Sequence, residues 1–510
     1  MGERLRSRDM AILATDSTTS PLHNATLEIF DPGESGFDHE RLVALIGDRI
    51  TFVPRYRQRL LTVPGHLATP VWSDDLRFDL AYHVRRSAIP RPGTLEQLLE
   101  LVARIVSRPL DRTRPLWEVY FVEGLEDGRV AVLSKSHQIL VDGMETVDLG
   151  QVLLDVSATP KLMEPDEWEP ARRPTNPGLV ADALRDTLTE PSALLANGRV
   201  LGQSVARRTL GVRRRLTSLA GPLAPLGGPL AAQPPVSESP ITPAALSQQR
   251  RVAGVRTSLA DHRRVREVHG GTVNDVVLAT VAGGLRNWLM ARDQRIGPQS
   301  KVRALVPMSV IDDELEATSL GTQIQGHLVD LPVGEASPVV RLHQVSYSFK
   351  AHGETGRAVA ANRLAGIAGF APTTFHALGT RVALGELGSR RFQLTVTNVP
   401  GPQFPLYAAG ARMVATYPVP PLLPRHALGI GVTSYDGHVY YGVTGDRDAI
   451  DDLDIFAQCL RDALDELVDT ASDTRPRAPR GRSRPRPATP VTEPTPDPTP
   501  GPAPGPGATP

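Results

Sequence analysis

The residue types that suit acid–base chemistry occur together in one stretch, in which His137 and Gln138 precede Asp142 and Gly143 with three residues between the two pairs. A neutral imidazole, with a pKa of about 6.5, can take a proton from a hydroxyl group near neutral pH. The amide of Gln138 donates and accepts hydrogen bonds, but it cannot act as a general base under these conditions. Taken alone, a histidine at such a position is more often a structural, hydrogen-bonded residue, so its interpretation depends on the rest of the chain.

Regular elements are predicted on both sides of this stretch. A strand over Arg129–Lys135 leads into it, and a helix from about Glu145 to Leu154 follows it. The apolar spacing in Leu95–Val106 predicts an amphipathic helix in the same region. The second half of the chain reads as another α/β region, with a buried helix over Val273–Leu289 and a hairpin around Asp436-Gly437. The stretch is therefore expected on a loop between a strand and a helix.

Four further segments accompany the stretch in order along the chain. They are Arg108-Pro109-Leu110-Asp111 running on to Pro115-Leu116-Trp117, then Asn274-Asp275, Thr397-Asn398-Val399-Pro400-Gly401-Pro402, and Pro405-Leu406-Tyr407 with Gly410. Together with the stretch around His137, they resemble the bacterial wax ester synthase/diacylglycerol acyltransferase family, within the superfamily of CoA-dependent acyltransferases. The resemblance is spread over most of residues 10–470.

This resemblance implies an α/β (α+β) fold of two similar CoA-dependent-acyltransferase-like lobes with a tunnel between them. It implies transfer of a long-chain acyl group from acyl-CoA to diacylglycerol or a fatty alcohol, which makes triacylglycerol or wax ester. Acyl-CoA is then a co-substrate, and no bound cofactor is expected. In the family pattern of His-His, three residues and Asp-Gly, the second His is the general base, and the Asp holds the loop through an internal ion pair.

The sequence departs from this pattern at the catalytic position. His137, Asp142 and Gly143 match, but Gln138 stands where the family has its catalytic histidine. Loss of a general base costs on the order of 10²–10⁴ in rate, although orientation of two bound substrates can preserve some activity. In one hypothesis His137 is the base, Gln138 is a positioning group, and Asp142 and Gly143 form the loop scaffold. In a second hypothesis, the protein is a catalytically weakened paralogue that binds lipid or acyl-CoA. In a third, it is an acyltransferase that uses a different hydroxyl acceptor.

The other candidate site residues each have two interpretations. Asn274 and Asp275 either cap the N-terminus of a helix or contact the substrate. Thr397 and Asn398 end a predicted strand before a Pro-Gly-Pro turn, and they either donate hydrogen bonds to a developing oxyanion or simply form the turn. The segment Leu364–Phe375 either lines an acyl channel or belongs to the core.

Composition argues against several other classes of protein. The chain has 510 residues, with 56 basic and 56 acidic side chains, so it lacks the net positive charge typical of nucleic-acid binding. The single cysteine, Cys459, excludes an internal disulfide and a multi-cysteine zinc site, and no metal is predicted. Prolines interrupt the uncharged stretches, so no membrane-spanning helix is expected. We expect a cytoplasmic location, with peripheral contact to the inner face of the plasma membrane or a lipid droplet.

Proline and charge patterns divide the chain into predicted parts. We place an N-terminal lobe at residues 1–156, a proline-rich and basic linker at 157–249, a C-terminal lobe at 250–470 and a disordered Pro/Arg-rich tail at 471–510. In the linker, the basic segment Arg207–Arg215 belongs to an amphipathic helix. That helix either lies in a lipid interface or crosses over the protein's own surface.

Overall fold

The computed structural model describes residues 3–140, 149–160, 168–171, 174–189, 239–310, 323–353, 372–386 and 392–472. Several of the sequence-based predictions therefore fall outside the described residues. These are the roles of Asp142 and Gly143, the basic helix around Arg207–Arg215, most of the Leu364–Phe375 segment, and the tail beyond residue 472.

The strands in the described part of the chain form two six-stranded sheets and one two-stranded sheet. They are β1 (His23–Asp31), β2 (Gln58–Leu61), β3 (Val71–Asp74), β4 (Val84–Ala88), β5 (Trp117–Glu123), β6 (Val130–His137), β7 (Arg250–Ser258), β8 (Val302–Val310), β9 (Gln323–Leu331), β10 (Leu394–Pro400), β11 (Tyr407–Ala408), β12 (Ala411–Val419), β13 (Leu428–Tyr435) and β14 (His438–Asp446). The first sheet has the order β11-β12-β1-β6-β5-β4, and the second has the order β7-β14-β13-β10-β8-β9.

The helices include the predicted amphipathic helix over Leu95–Val106 and the predicted buried helix over Val273–Leu289. They are α1 (Ser7–Thr15), α2 (His39–Arg49), α3 (Leu80–His83), α4 (Leu95–Val106), α5 (Leu149–Val152), α6 (Asn176–Thr189), α7 (Leu259–His269), α8 (Val273–Ala291), α9 (Pro338–Gly353), α10 (Pro372–Glu386) and α11 (Leu453–Ser472). Among the helices that the structure describes, none is long and apolar enough to cross a bilayer.

Local sequence signals explain the elements that flank the site. Helix α4 has the predicted bounds and begins with a capping box, in which Thr94 accepts from the backbone N–H of Gln97 and the Gln97 side chain accepts from the N–H of Thr94. The predicted hairpin is confirmed, because β13 and β14 pair antiparallel across Asp436 and Gly437. Both turn residues have positive φ angles, 42° and 80°, as a tight two-residue hairpin turn requires.

One strand pairing connects the two halves of the chain. Strand β12 comes late in the sequence, yet it pairs antiparallel with β1 in the first sheet. It also contacts β13 and β14 of the second sheet, where a Cβ added to Gly442 would lie 1.6 Å from the carbonyl oxygen of Pro418. Glycine at 442 is therefore required by the close approach of the two backbones.

Further contacts between the halves lie at the end of α4. The backbone N–H of Arg250 donates to Oγ of Ser107 at 2.9 Å, and the Arg250 guanidinium donates to the carbonyl of Thr19, so both bonds join the second half to the first. Within the second half, the same guanidinium lies 3.4 Å from the carboxylate of Asp446. Both side chains of that ion pair are almost fully buried. Together with the β1–β12 pairing, these contacts hold the two sheets in one unit that extends to residue 471.

Candidate active site

Backbone hydrogen bonds fix His137, the last residue of strand β6, and Gln138, which follows it. The N–H of His137 donates to the carbonyl of Leu116 at 2.9 Å, and the N–H of Gln138 donates to the carbonyl of Leu22 at 3.1 Å. Gln138 then begins a short 3-10 turn, Gln138–Leu140, which we call the motif turn. Because β6 lies between β1 and β5, both side chains are buried, with relative exposures of 2% for His137 and 0% for Gln138.

Both ring nitrogens of His137 face groups of the protein. Nδ1 accepts a hydrogen bond from the backbone N–H of Ile139 at 3.2 Å, so a neutral ring carries its proton on Nε2. Nε2 lies 3.4 Å from Oδ2 of Asp16, without the alignment of a hydrogen bond. The lone pair that could accept a proton is thus already used by the motif turn itself.

Asp16 is the acidic partner of this ring, and its side chain is only 7% exposed. Burial by itself would raise the pKa of the Asp16 carboxyl, but the nearby His137 ring, the N–H of Leu22 and the Arg112 guanidinium together lower it well below its usual range. The Leu22 N–H lies 2.7 Å from Oδ1, and Arg112 Nη2 lies 2.7 Å from Oδ2. Asp16 is therefore a carboxylate at every physiological pH and orients the His137 ring.

Gln138 is fixed by two different neighbours. Its amide nitrogen donates to Oδ1 of Asn24 at 2.6 Å, and its backbone carbonyl accepts from Arg381 Nη1 at 3.0 Å. Among the described residues, neither Oε1 of Gln138 nor Nδ2 of Asn24 has a hydrogen-bond partner. One acceptor and one donor are thus left without partners on two hydrogen-bonded amides in a buried place, where an unsatisfied polar group is costly.

A second group of buried polar side chains, Lys135 and His23, lies at the C-terminal end of α4. The Nζ atom of Lys135 donates to the carbonyls of Ile105 at 3.2 Å and Arg108 at 2.6 Å, and Nε2 of His23 lies 3.0 Å from the carbonyl of Val106. These carbonyls include the last ones of the helix, which lack intrahelical partners. A cation at the negative end of the helix dipole is favourable, so Lys135 is a structural cap for α4.

Helix α10 connects the motif turn with the second sheet. It contacts the motif turn and β1 on one side, and β8, β9 and β10 on the other. Arg381 of this helix makes a buried ion pair with Asp9 in addition to its bond to the carbonyl of Gln138. A Cβ on Gly379 would lie 3.0 Å from both Pro307 and Thr397, which shows how closely α10 packs on the second sheet.

The two candidate residues of the second sheet, Thr397 and Asn398, contact different parts of the protein. Thr397 and Asn398 are neighbours on β10, so their side chains point to opposite faces. Oγ1 of Thr397 lies 2.5 Å from Nδ1 of His376 on α10, whereas Nδ2 of Asn398 donates to Oδ1 of Asn274 at 3.0 Å. Thr397 thus faces the helix that touches the motif turn, and Asn398 pairs with Asn274 at the start of α8.

Asp275 has the capping role that its position predicted. Its carboxylate accepts from the N–H of Thr272 at 2.9 Å, and its own N–H donates to Oγ1 of Thr272 at 3.1 Å. The N-cap residue is Thr272, and Asp275 completes the capping box three residues later. Asn274 and Asn398 are hydrogen-bonded to each other, and their contact with substrate stays a prediction.

Comparisons with known proteins test the family resemblance. Residues 5–277 match the wax ester synthase/diacylglycerol acyltransferase catalytic domain, and residues 320–468 match the C-terminal domain of the same family. This chain belongs to the wax ester synthase/diacylglycerol acyltransferase family. The resemblance predicted from the motifs is thereby confirmed, and so is the prediction of an O-acyltransferase.

Two relatives from Mycobacterium tuberculosis illustrate the similarity within the wax ester synthase/diacylglycerol acyltransferase family. The probable diacylglycerol O-acyltransferase tgs3 is 38% identical over 279 residues, which cover 52% of this chain and 96% of that protein. The probable diacylglycerol O-acyltransferase tgs1 is 31% identical over 433 residues, which cover 84% of this chain and 88% of that protein.

The fold is shared with a solved member of the family. The wax ester synthase/diacylglycerol acyltransferase from Marinobacter aquaeolei VT8 superposes with a TM-score of 0.62 at 26% identity, over 92% of this chain and 100% of that one. This likeness confirms the predicted two-lobe acyltransferase fold. Among the described residues, no group of three or more His, Cys, Asp or Glu side chains is placed to hold a metal ion.

Proposed function

We propose that this protein transfers a long-chain acyl group from acyl-CoA to the hydroxyl of diacylglycerol or a fatty alcohol at the motif turn. The observation that carries the proposal is the position of the family motif. Its residues His137 and Gln138 are buried at the end of β6, and a helix of the second half of the chain contacts the motif turn. Such a position removes the reacting groups from bulk water, where a competing hydrolysis of the thioester would occur.

In this proposal, Gln138 and Asn24 bind the acceptor hydroxyl. The unsatisfied Oε1 of Gln138 accepts the hydroxyl proton in a hydrogen bond, and the unsatisfied Nδ2 of Asn24 donates to the hydroxyl oxygen. An alcohol supplies one donor and one acceptor, which matches this pair. The amide pair thereby orients the nucleophile, and orientation alone can be worth about 7–11 kcal/mol of the activation barrier.

His137 has a positioning role in the same proposal. Because its Nδ1 accepts from Ile139 and its Nε2 faces Asp16, the ring holds the motif turn against β6 and α1. The hypothesis that His137 is the general base requires one of these contacts to break, and it stays a prediction. Asp142 and Gly143 as loop scaffold, and Thr397 as an oxyanion donor, are carried forward as proposals in the same way.

A peripheral location at a lipid surface is part of this proposal, because diacylglycerol and fatty alcohols reside in lipid. Flotation of the purified protein with vesicles that contain anionic lipid and diacylglycerol tests it. We expect co-flotation that weakens as salt is raised, since charge attraction to a lipid surface is screened by ions. Protein that stays at the bottom of the gradient with every vesicle composition would contradict a membrane location.

Incubation with palmitoyl-CoA and either diacylglycerol or hexadecanol tests the reaction itself. Free CoA and the neutral-lipid product are followed together, so that transfer is distinguished from hydrolysis. We expect equal amounts of CoA and ester, and a loss of both in His137→Ala if the ring holds the motif turn. Tight binding of acyl-CoA without any ester, in a protein that Gln138→His makes active, would instead identify the lipid-binding alternative.

A further inference from the structure

One face of the first sheet carries buried polar side chains on its central strands. Side chains alternate between the two faces of a strand, so every second residue of β1, β6 and β12 lies on this face. We call the polar residues found there the polar strip: Asn24, Thr26 and Glu28 of β1, Ser134 and Ser136 of β6, and Thr416 of β12. Strands that are covered on both faces are usually apolar throughout, so the strip indicates a role other than packing.

The strand register connects the polar strip with the motif turn. Asn24 pairs with Ser136, and its side-chain oxygen accepts from the amide of Gln138. Thr26 pairs with Ser134 one step further along the same face, which is about 7 Å away at about 3.4 Å per residue. The polar strip therefore begins at the motif turn and continues along β1 and β6.

The polar strip lies on a face of the first sheet that is directed at the second half of the chain. Pro418 of β12 pairs with Thr26 on this face, and Thr416 pairs with Glu28 at the next step. A Cβ added to Gly431 of β13 would lie 2.9 Å from Cβ of Pro418, so this face meets the second sheet. The boundary between the two halves is where the family resemblance predicts a tunnel.

Two hydroxyl groups of the polar strip have no hydrogen-bond partner among the described residues. They are Oγ of Ser134 and Oγ1 of Thr416, and these residues are only 7% and 0% exposed. Buried polar groups are normally bonded, because an unsatisfied one has lost its bonds to water without replacement. Other unpartnered atoms, such as Nε2 of His376 on α10 and Oγ1 of Thr444 on β14, belong to other elements. The two hydroxyls instead share one face of one sheet with the side chain of Asn24.

The opposite face of the same strands shows how this sheet satisfies its structural polar groups. Lys135 lies there and donates to two carbonyls at the end of α4, and Nε2 of His23 lies 3.0 Å from a third. The residues between them on that face are apolar and buried, as in Ala25, Leu27 and Leu133. The polar groups of that face thus serve the helix, whereas the hydroxyls of the polar strip have no such partner in the described part of the chain.

The chemistry of the polar strip fits an acceptor that carries esters. A serine or threonine hydroxyl donates to a carbonyl oxygen, and diacylglycerol bears ester carbonyls on the carbons beyond its hydroxyl. A fatty alcohol has only methylene groups beyond its hydroxyl, so its chain would cover Ser134 and Thr416 without bonding them. An acceptor whose hydroxyl is bound by Asn24 and Gln138 would extend along the strip, with its nearer ester toward Ser134 and its farther ester toward Thr416.

We propose that the polar strip selects diacylglycerol over fatty alcohols, with Ser134 and Thr416 donating hydrogen bonds to its ester carbonyls. This inference rests on the proposed function, because it takes the acceptor hydroxyl to be bound by Asn24 and Gln138. A site built to bond polar groups of a substrate discriminates against an analogue that lacks them, because the buried groups of the site then stay unpaired. The strip acts through binding of the acceptor and adds no step to the reaction.

The test compares dioleoylglycerol with hexadecanol as acceptors in the full-length protein, in the same detergent micelles and with saturating palmitoyl-CoA. We expect the wild type to prefer dioleoylglycerol. The ratio of kcat/KM for dioleoylglycerol to kcat/KM for hexadecanol should fall about tenfold in Ser134→Ala and in Thr416→Val, the effect of about one hydrogen bond each. Thr416→Ser keeps a hydroxyl and should keep the preference. Thr444→Val removes an equally buried, unpartnered hydroxyl from the second sheet, and as the matched control it should leave the ratio unchanged.

Several results would overturn the inference. An unchanged ratio in folded Ser134→Ala and Thr416→Val would do so, as would an equal fall of the ratio in Thr444→Val. A rise in KM for palmitoyl-CoA in place of KM for dioleoylglycerol would assign the strip to the acyl donor and refute its role in acceptor choice. Where Ser134→Ala does not fold, Thr416→Val tests the same claim, because valine has the shape of threonine. A wild type that esterifies hexadecanol but not dioleoylglycerol refutes this inference alone, whereas no ester from either acceptor removes the proposed function itself.

Discussion

Lys135 offers a quantitative test of the buried polar side chains at the C-terminal end of α4. Its ammonium group is fully buried, donates to the carbonyls of Ile105 and Arg108, and lies 3.5 Å from the carboxylate of Glu118. Burial lowers the pKa of Lys135 from 10.5 to about 8, and Glu118 only partly opposes this shift. Lys135→Met removes the titrating amine while it leaves Glu118 bonded to Arg85.

The sign and size of the effect follow from proton binding. Between pH 8 and 10.5 the unfolded chain holds a proton on Lys135 and the folded protein has lost it, so the free energy of unfolding rises with pH in this window. Each unit of pKa difference is worth about 1.4 kcal/mol, which gives about 3 kcal/mol across the window. Below pH 8 both states are protonated, and the folded protein bears the full cost of the buried charge.

The assay is urea unfolding of wild type and Lys135→Met, followed by circular dichroism at several pH values from 7.5 to 10.5. The tyrosines and surface groups titrate in both proteins and cancel in the difference. We expect the wild-type free energy of unfolding to gain about 3 kcal/mol relative to the variant as the pH rises. Lys301→Met, at an exposed position, should show no such trend. Parallel curves for wild type and Lys135→Met would refute the assignment of a buried, partly discharged amine.

Three further predictions address the site and the contact between the sheets. Asn24→Ala should raise the acceptor KM roughly tenfold, the value of about one hydrogen bond, with acyl-CoA KM unchanged; an equal rise in both would contradict binding of the hydroxyl by the amide pair. The lowered pKa of Asp16 stabilises the wild type fully above pH 3.8, the ordinary carboxyl pKa, and this stability is lost as the pH falls below that value. The free energy of unfolding of Asp16→Asn should therefore be lower than that of the wild type at pH 6, and the two values should converge in acid. Gly442→Ala should destabilise the protein by about 3 kcal/mol or more, because its methyl group would overlap the carbonyl of Pro418. Gly437→Ala, in open space at a positive φ, should cost less in the same thermal melts.

Much of the local structure could be read from the sequence. The apolar spacing of Leu95–Val106 predicted helix α4 with its bounds, and Asp436-Gly437 predicted the hairpin between β13 and β14. The order of the motifs around His137 predicted the family, which the comparisons confirm. These signals are local, because helix periodicity, turn preference and short motifs depend on residues that are close in the sequence.

The chemical surroundings of the motif were decided by tertiary structure. Asp16 lies 3.4 Å from His137 although 121 positions separate them in the sequence, and Arg381 bonds the carbonyl of Gln138 across 243 positions. The orientation of His376 likewise depends on Thr397 from a strand of the second sheet. No spacing rule predicts such partners, since they are set by which strands pair and which helix packs between the sheets.

The sequence by itself determined the family and the principal elements, and it predicted that Gln138 stands in place of the usual base. Only the tertiary structure decided that the lone pair of His137 is occupied, that Asn24 and Gln138 present one donor and one acceptor, and that an unsatisfied imidazole nitrogen lies on α10. The physical reason is that a motif specifies residue types along the chain. Hydrogen-bond satisfaction and burial depend on every neighbour in space.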